Sequence, residues 1–189
     1  KSTSSILTTI VDCELTKDST QSRRGFIVED GIIITLNRIL IQRCSVACAS
    51  PFYIGDTVFD TLFKTLKVVR SSTNMACSGG GLVAKQNTVV ILESVTFQEC
   101  RSKRRSGGLI LTDSANGIFR SVHFKDCEAN SASAVLVTQG ATMMWNGGSV
   151  LQSCSHKPGS AVVEIEGEFS VAKLIGVKIS KSTCDIDSS

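Results

Sequence analysis

The chain has 189 residues, 42% of them hydrophobic, and a formal net charge of +3. That is enough apolar material for one domain with a sizeable core and too much for a disordered chain, and so small a charge gives no reason to invoke a nucleic-acid partner. No run of eighteen apolar residues occurs, so no transmembrane helix is expected; Lys1 to Ser5 lack the apolar stretch of a signal peptide, and any export signal would lie upstream.

In chain order, the first apolar segment is Ile10-Val-Asp-Cys13, the end of a partial coil. Gly25-Phe-Ile-Val28 follows, a small residue leading into a short β-branched run, and then a turn signal, Glu29-Asp-Gly31. Ile39-Leu-Ile41-Gln-Arg-Cys44 restores the first frame, Pro51-Phe-Tyr-Ile54 the second, and Gly55-Asp56 the turn. In the next copy, Leu66-Lys-Val68-Val-Arg-Ser71 carries serine for cysteine. Gly80-Gly-Leu-Val83, the turn Gln86-Asn87 and a third apolar run, Val89-Val-Ile-Leu92, come after it. Val95-Thr-Phe97-Gln-Glu-Cys100 then leads to Gly107-Gly-Leu-Ile110, a turn from Asp113, and Gly117-Ile-Phe119. Val122-His-Phe124-Lys-Asp-Cys127 is followed by Ser133-Ala-Val-Leu136 and Gln139-Gly140. Ser149-Val-Leu151-Gln-Ser-Cys154, Ser160-Ala-Val-Val163 and Glu166-Gly167 form another copy, and Val177-Lys-Ile179-Ser-Lys-Ser182 begins the last.

The anchors at 13, 44, 71, 100, 127, 154 and 182 are therefore 31, 27, 29, 27, 27 and 28 residues apart. Each repeat holds three short strands and three turns, and no segment sustains a helical period, so helices are absent or confined to a cap. Strands this short cannot each find a hydrophobic partner as hairpins. Stacked coils solve the problem, each strand pairing in parallel with its counterpart about 4.8 Å above. The expectation is an all-β fold: a right-handed parallel β-helix of about seven coils with three sheets. Residues 1–189 are read as a single segment of a longer chain, because open solenoid ends expose strand edges and normally need caps. Phe97, Phe124 and Leu151 are expected in one inward column, with Val95, Val122 and Ser149 beside them. Lys64, Glu93 and Arg120 share one outward position, which reads as a cross-strand charge ladder.

These repeats resemble the pectin-lyase-like right-handed β-helix over roughly residues 5 to 184. More narrowly, the Gly-Gly-aliphatic and Phe-x-x-polar elements are similar to those of chlamydial polymorphic outer-membrane proteins and protist surface proteins. Those families usually show Gly-Gly-Ala-Ile and Phe-x-x-Asn; here two coils have the Gly-Gly pair, and Cys or Ser stands in place of Asn.

Of the eight cysteines, Cys13, Cys44, Cys100, Cys127 and Cys154 fall in one column. Neighbours about 4.8 Å apart exceed the roughly 3.5–4.5 Å that a disulfide asks of its Cβ atoms, and a line of thiols offers zinc no tetrahedron. A ladder of reduced, buried thiols is expected, with no metal and no cofactor. Cys48, Cys77 and Cys184 lie off the column in turns, and Cys48 and Cys77 are placed so that they could bridge.

Enzymes on the resembled fold work along an exposed strand face with clustered acids. The best such pair is Glu99 and Asp126, which precede the anchor on adjacent coils with Lys125 alongside; a spacing of about 5 Å would suit a retaining glycosidase. Two solvated acids at a turn are the plainer reading. His123 lies on an outward position and His156 in a turn, with no acid or nucleophile at a spacing that defines a triad. Gly79-Gly-Gly81 lacks the Lys-Ser/Thr and the helix of a phosphate loop. Arg101, Lys103, Arg104 and Arg105 form a basic turn, with Arg23 and Arg24 at a comparable one, and could hold a sulfated glycan or an acidic membrane surface. The expected function is thus a non-catalytic structural or adhesive module of a larger cell-surface or extracellular protein. Its partners would be other segments stacking on the solenoid ends, and glycans. The alternative is a polysaccharide-degrading enzyme of the pectin-lyase-like class, which a groove lined with acids and aromatics would favour.

Overall fold

The computed structural model of the chain describes residues 9–11, 26–28, 34–42, 45–46, 52–55, 60–69, 72–73, 80–156 and 160–180. Among these residues every element is a β-strand, every pairing is parallel, and the strands build three sheets of a β-solenoid. The long sheet contains β1 (Thr9–Val11), β3 (Ile34–Gln42), β6 (Asp60–Val69), β9 (Val89–Glu93) with β10 (Thr96–Gln98), β13 (Asn116–Lys125), β16 (Thr142–Leu151) and β19 (Val171–Ser180). The narrowest contains β4 (Ser45–Val46), β7 (Ser72–Thr73), β11 (Arg101–Ser102), β14 (Glu128–Ala129) and β17 (Cys154–Ser155). The third contains β2 (Phe26–Val28), β5 (Phe52–Ile54), β8 (Leu82–Ala84), β12 (Leu109–Leu111), β15 (Val135–Thr138) and β18 (Val163–Glu166). No helix of the described residues is long and apolar enough to cross a membrane.

About four turns are traced, fewer than the seven anchors suggest. A turn is complete only where all three strands and the chain joining them are described, and that condition holds from Gly80 to His156; β1 to β7 and β18 to β19 extend the same ladders.

Strand alternation sets the core. In β13 inward and outward positions alternate until Arg120 and Ser121, two successive exposed residues, after which alternation resumes with Val122 buried. The break arises because Ser121 has φ 54°, a left-handed residue that turns the chain and resets the parity. Thr65, Ser94 and Gly176 occupy the equivalent position with φ 55°, 54° and 63°. A β-branched residue is the worst suited to that conformation, at a cost of roughly 1–2 kcal/mol for an L-residue. Thr65→Gly should therefore stabilise the protein by about 1 kcal/mol in urea unfolding, even though it deletes a side chain; a loss of stability would show that the Thr65 side chain outweighs its backbone strain.

The strand register places Ile10, Ile41, Val68, Phe97, Phe124, Val150 and Ile179 in one row. Phe97 and Phe124 are fully buried and stack face to face, centroids 4.9 Å apart and planes 6° apart. Trp145 meets Phe124 edge-on at 5.4 Å and Phe119 at 6.3 Å. Val95 and Val122 are buried as expected. In the next coil, however, the inward residues are Val150 and the backbone of Gly148, while Leu151 pairs with outward Lys125 and Ser149 with outward His123. Alignment on the anchor cysteines placed this coil one residue out of register, and a one-residue slip exchanges faces for every side chain. The anchor partner of Cys127 is accordingly Ser153, fully buried, whose Oγ accepts from the Cys127 backbone N–H at 3.2 Å. Cys154 lies opposite Glu128 instead. Further along the coil the displacement has the opposite sense, and Val163, not Val162, lies beside Val135.

In each Gly-Gly pair the first glycine, Gly80 or Gly107, lies against backbone alone, and the second lies against both a backbone carbonyl and a phenylalanine. A Cβ on Gly81 would lie 2.7 Å from Phe97 Cδ1, and one on Gly108 would lie 2.5 Å from Phe124 Cδ1. Where the next coil carries the smaller Val150 in the phenylalanine row, Ala134 replaces the glycine and is fully buried. Gly148 is required first by backbone: with φ 124°, its Cβ would collide with Val122 O and lie 2.9 Å from Trp145 Nε1. Between the coils of Phe124 and Val150 a larger residue on one wall thus accompanies a smaller one on the other, as close packing requires.

Strands β8, β12 and β15 are buried on both faces. Val83, Ile110 and Leu136 form a second apolar cluster with Ala132, from the chain between β14 and β15, on the outer side of the third sheet. That ladder ends at Glu164, whose carboxylate accepts from Ser131 Oγ at 2.5 Å and Ala132 N–H at 3.1 Å.

Candidate functional site

Glu99 and Asp126 occupy the corner where the long sheet gives way to the narrow one, one strand apart, each in the left-handed conformation with φ 53°. Their backbone amides continue the ladder, Glu99 N–H to Lys125 O at 2.9 Å and Asp126 N–H to Leu151 O at 3.0 Å. The side chains are half-exposed and locally engaged: Gln98 Nε2 donates to Glu99 Oε1 at 3.1 Å, and Lys125 Nζ lies 3.8 Å from Asp126 Oδ2. The corner is thus an adjacent pair of carboxylates, each with a local polar neighbour.

The basic turn joins β11 to β12. Lys103, Arg104 and Arg105 are exposed. Arg101 is also exposed but is engaged by Glu128, with Nε 3.1 Å from Oε2, and the other oxygen of Glu128 lies 2.8 Å from His156 Nε2. The turn itself is fixed through backbone: Arg104 N–H donates to Ser102 Oγ at 3.4 Å, and Arg104 O accepts from Ser131 N–H at 3.0 Å. An anion would therefore meet three solvent-facing cations on a fixed loop, and one more already shared with a carboxylate. Arg23 and Arg24 lie outside the described residues.

Glu93 bridges Lys64 at 3.9 Å and Arg120 at 2.6 Å, the charge ladder expected from their common position. Exposed pairs of this kind contribute little stability each, and they favour one register over its neighbours. Sequence reasoning missed a further cross-coil contact: His123 Nδ1 and Ser149 Oγ are 2.9 Å apart on the outward face of β13 and β16. Residues one coil apart in sequence are neighbours in a solenoid, and these two are 26 residues apart.

The thiol ladder holds for two members. Cys100 and Cys127 are fully buried thiols, and each Sγ lies near two carbonyls: Cys100 at 3.7 Å from Val68 O and 3.6 Å from Gln98 O, Cys127 at 3.7 Å from Phe97 O and 3.6 Å from Lys125 O. Cys154 does not belong to it. It is half-buried and disulfide-bonded, because the register shift moves it to the outward position that Arg101 and Glu128 hold in the preceding coils. Cys13, Cys44, Cys48, Cys77 and Cys184 lie outside the described residues, as does any Cys48–Cys77 bridge.

Among the described residues, the coil nearest the C-terminus differs from the interior ones. Leu174 and Ile179 are 38% and 48% exposed, whereas their row partners Trp145 and Val150 are fully buried. Ile165, Val171, Ile175 and the 85%-exposed Phe169 add to this apolar end. No family model, curated protein or solved structure matches the chain.

Proposed function

We propose that this chain is a non-catalytic structural and adhesive segment of a larger surface or extracellular protein, a solenoid of the pectin-lyase-like class with repeats of the surface-protein kind. The observation that carries the reading is on the last coil of the described residues: Leu174 and Ile179, whose row partners are core, stand exposed on a ten-residue strand at the edge of the described sheet. An uncovered parallel edge with apolar inward positions suits the stacking of another coil, from the same protein or a partner. The basic turn supplies the glycan contact in this reading. Each exposed cation beside a polyanionic surface contributes about 1 kcal/mol, so replacing Lys103, Arg104 and Arg105 with serine should weaken heparin binding by roughly a hundredfold. The melting temperature should not change, and binding by the unmodified protein should fall steeply with salt. Undiminished binding in the triple variant would reject the turn as the site. Cleavage of a polysaccharide panel, lost in Glu99→Gln or Asp126→Asn, would replace the structural reading with that of a polysaccharide-degrading enzyme.

A further inference from the structure

We propose that a second copy of this chain docks on the outer face of the long sheet, forming an antiparallel two-fold dimer. The proposal does not depend on the surface-protein reading. The face belongs to the first half of the long strands, ahead of the left-handed residue. Its middle row runs Leu62, Ile91, Ile118 and Met144, in register across β6, β9, β13 and β16, and continues into Lys173 of β19. These side chains point away from the core. Met144 is 44% exposed, and Ile91 and Ile118 are half-exposed between fully buried neighbours on their own strands.

On one side of this row lie the exposed Asn116 and Thr142; on the other lies the charge ladder Lys64, Glu93 and Arg120, continued by the exposed Asn146. An apolar centre with a polar rim is the anatomy of a protein interface. Four apolar residues in line on an outer sheet face add nothing to the solenoid interior, and a contiguous patch of this kind marks an interaction surface.

The charge ladder selects the occupant. Its signs alternate, with Glu93 3.9 Å from Lys64 and 2.6 Å from Arg120. A two-fold axis along the strand direction, midway between β9 and β13, reverses the order of the coils and sets each row opposite itself. Glu93 then faces Arg120 of the second copy, Arg120 faces its Glu93, and Lys64 faces its Asn146. In the middle row Ile91 faces Ile118, and Leu62 faces Met144. An axis along the solenoid would instead set Glu93 against Val89 and Arg120 against Asn116, leaving both charges without a partner across the interface. Of these two closed arrangements only the antiparallel one pairs the charges. The four strands span about 19 Å and five residues of each about 17 Å. That footprint is below the roughly 800 Å² per partner of a standard interface, so the dimer is weak and exchanges with monomer.

Sedimentation equilibrium of the full chain, taken up to roughly millimolar concentration, tests the proposal. The mass should rise from one chain towards two and stop there, and the chains should separate in denaturing electrophoresis without reductant. Ile118→Lys and Met144→Lys should each weaken association by roughly thirtyfold or more, with the urea midpoint little changed because both positions face outward. Glu93→Arg sets like charges together twice across the axis and should weaken association by about tenfold; adding Arg120→Glu restores opposite charges and should recover most of the loss. A single-chain mass throughout overturns the dimer, as does a mass that grows past two chains or a pair linked through cysteine. Association untouched by Ile118→Lys and Met144→Lys overturns the face. Failure of Arg120→Glu to rescue Glu93→Arg overturns the antiparallel two-fold.

Discussion

Phe124→Ala should destabilise the protein by about 3–5 kcal/mol, a large share of the roughly 5–15 kcal/mol available to a domain. Phe124 is fully buried, stacked on Phe97 at 4.9 Å and met edge-on by Trp145 at 5.4 Å, so its removal opens a void between two aromatic neighbours. Strong pairing along the sheet leaves little freedom to close that void, because moving one coil strains the ladders on both sides. Urea unfolding followed by tryptophan emission measures the effect directly, since the single Trp145 touches the substituted ring. A shift of midpoint with unchanged slope is expected. A loss below about 1 kcal/mol would mean that Phe124 is not in the core.

Gly108→Val should be nearly as damaging, about 2–3 kcal/mol, although it adds apolar volume. Its Cβ would lie 2.5 Å from both Phe124 Cδ1 and Cε1, and the neighbouring coil leaves no lateral room. The next coil already contains the accommodated version of this substitution, with Ala134 opposite Val150 instead of Gly108 opposite Phe124. Gly108→Val combined with Phe124→Val should therefore be less unstable than the sum of the single changes by about 1 kcal/mol or more, within the usual coupling range for residues in contact. Strict additivity would show that backbone contact alone, and not the ring, excludes a side chain at Gly108.

Most of the architecture was legible because strand periodicity and turn chemistry agree. Val95, Phe97, Val122 and Phe124 alternate with polar residues, and the turns at Gln86-Asn87 and Asp113-Ser114 supply residues that accept left-handed φ. The register of the coil after Cys127 was misread for an equally physical reason. A cysteine at 154 matched the composition of the anchor column, and serine, which fills the inward position at 153, carries little hydrophobic signal. The turn glutamine at 139 pairs with the Asp113–Ser114 turn through Ser114 N–H to Gln139 O at 3.0 Å, and this shorter coil length was readable from the turns rather than the cysteines. At the candidate site, Lys64, Glu93 and Arg120 could be grouped from sequence because charge at one repeat position is visible without coordinates. The engagement of Arg101 by Glu128, and of Glu128 by His156, depends on side-chain reach across coils and was not.

The stacking of coils is tested most directly by one distance. Lys67 and Lys178 are exposed, 111 residues apart in sequence, and joined by four steps of register through Thr96, His123 and Ser149. Four strand spacings of about 4.8 Å place their backbones about 19 Å apart. Nitroxides attached at both positions through a keto amino acid, which spares the native cysteines, would report that separation by pulsed electron resonance. A single narrow distribution near 20 Å is expected, broadened by the label arms. A distribution centred beyond about 35 Å would mean that these strands do not lie in one ladder, and the solenoid with its inward columns would have to be abandoned.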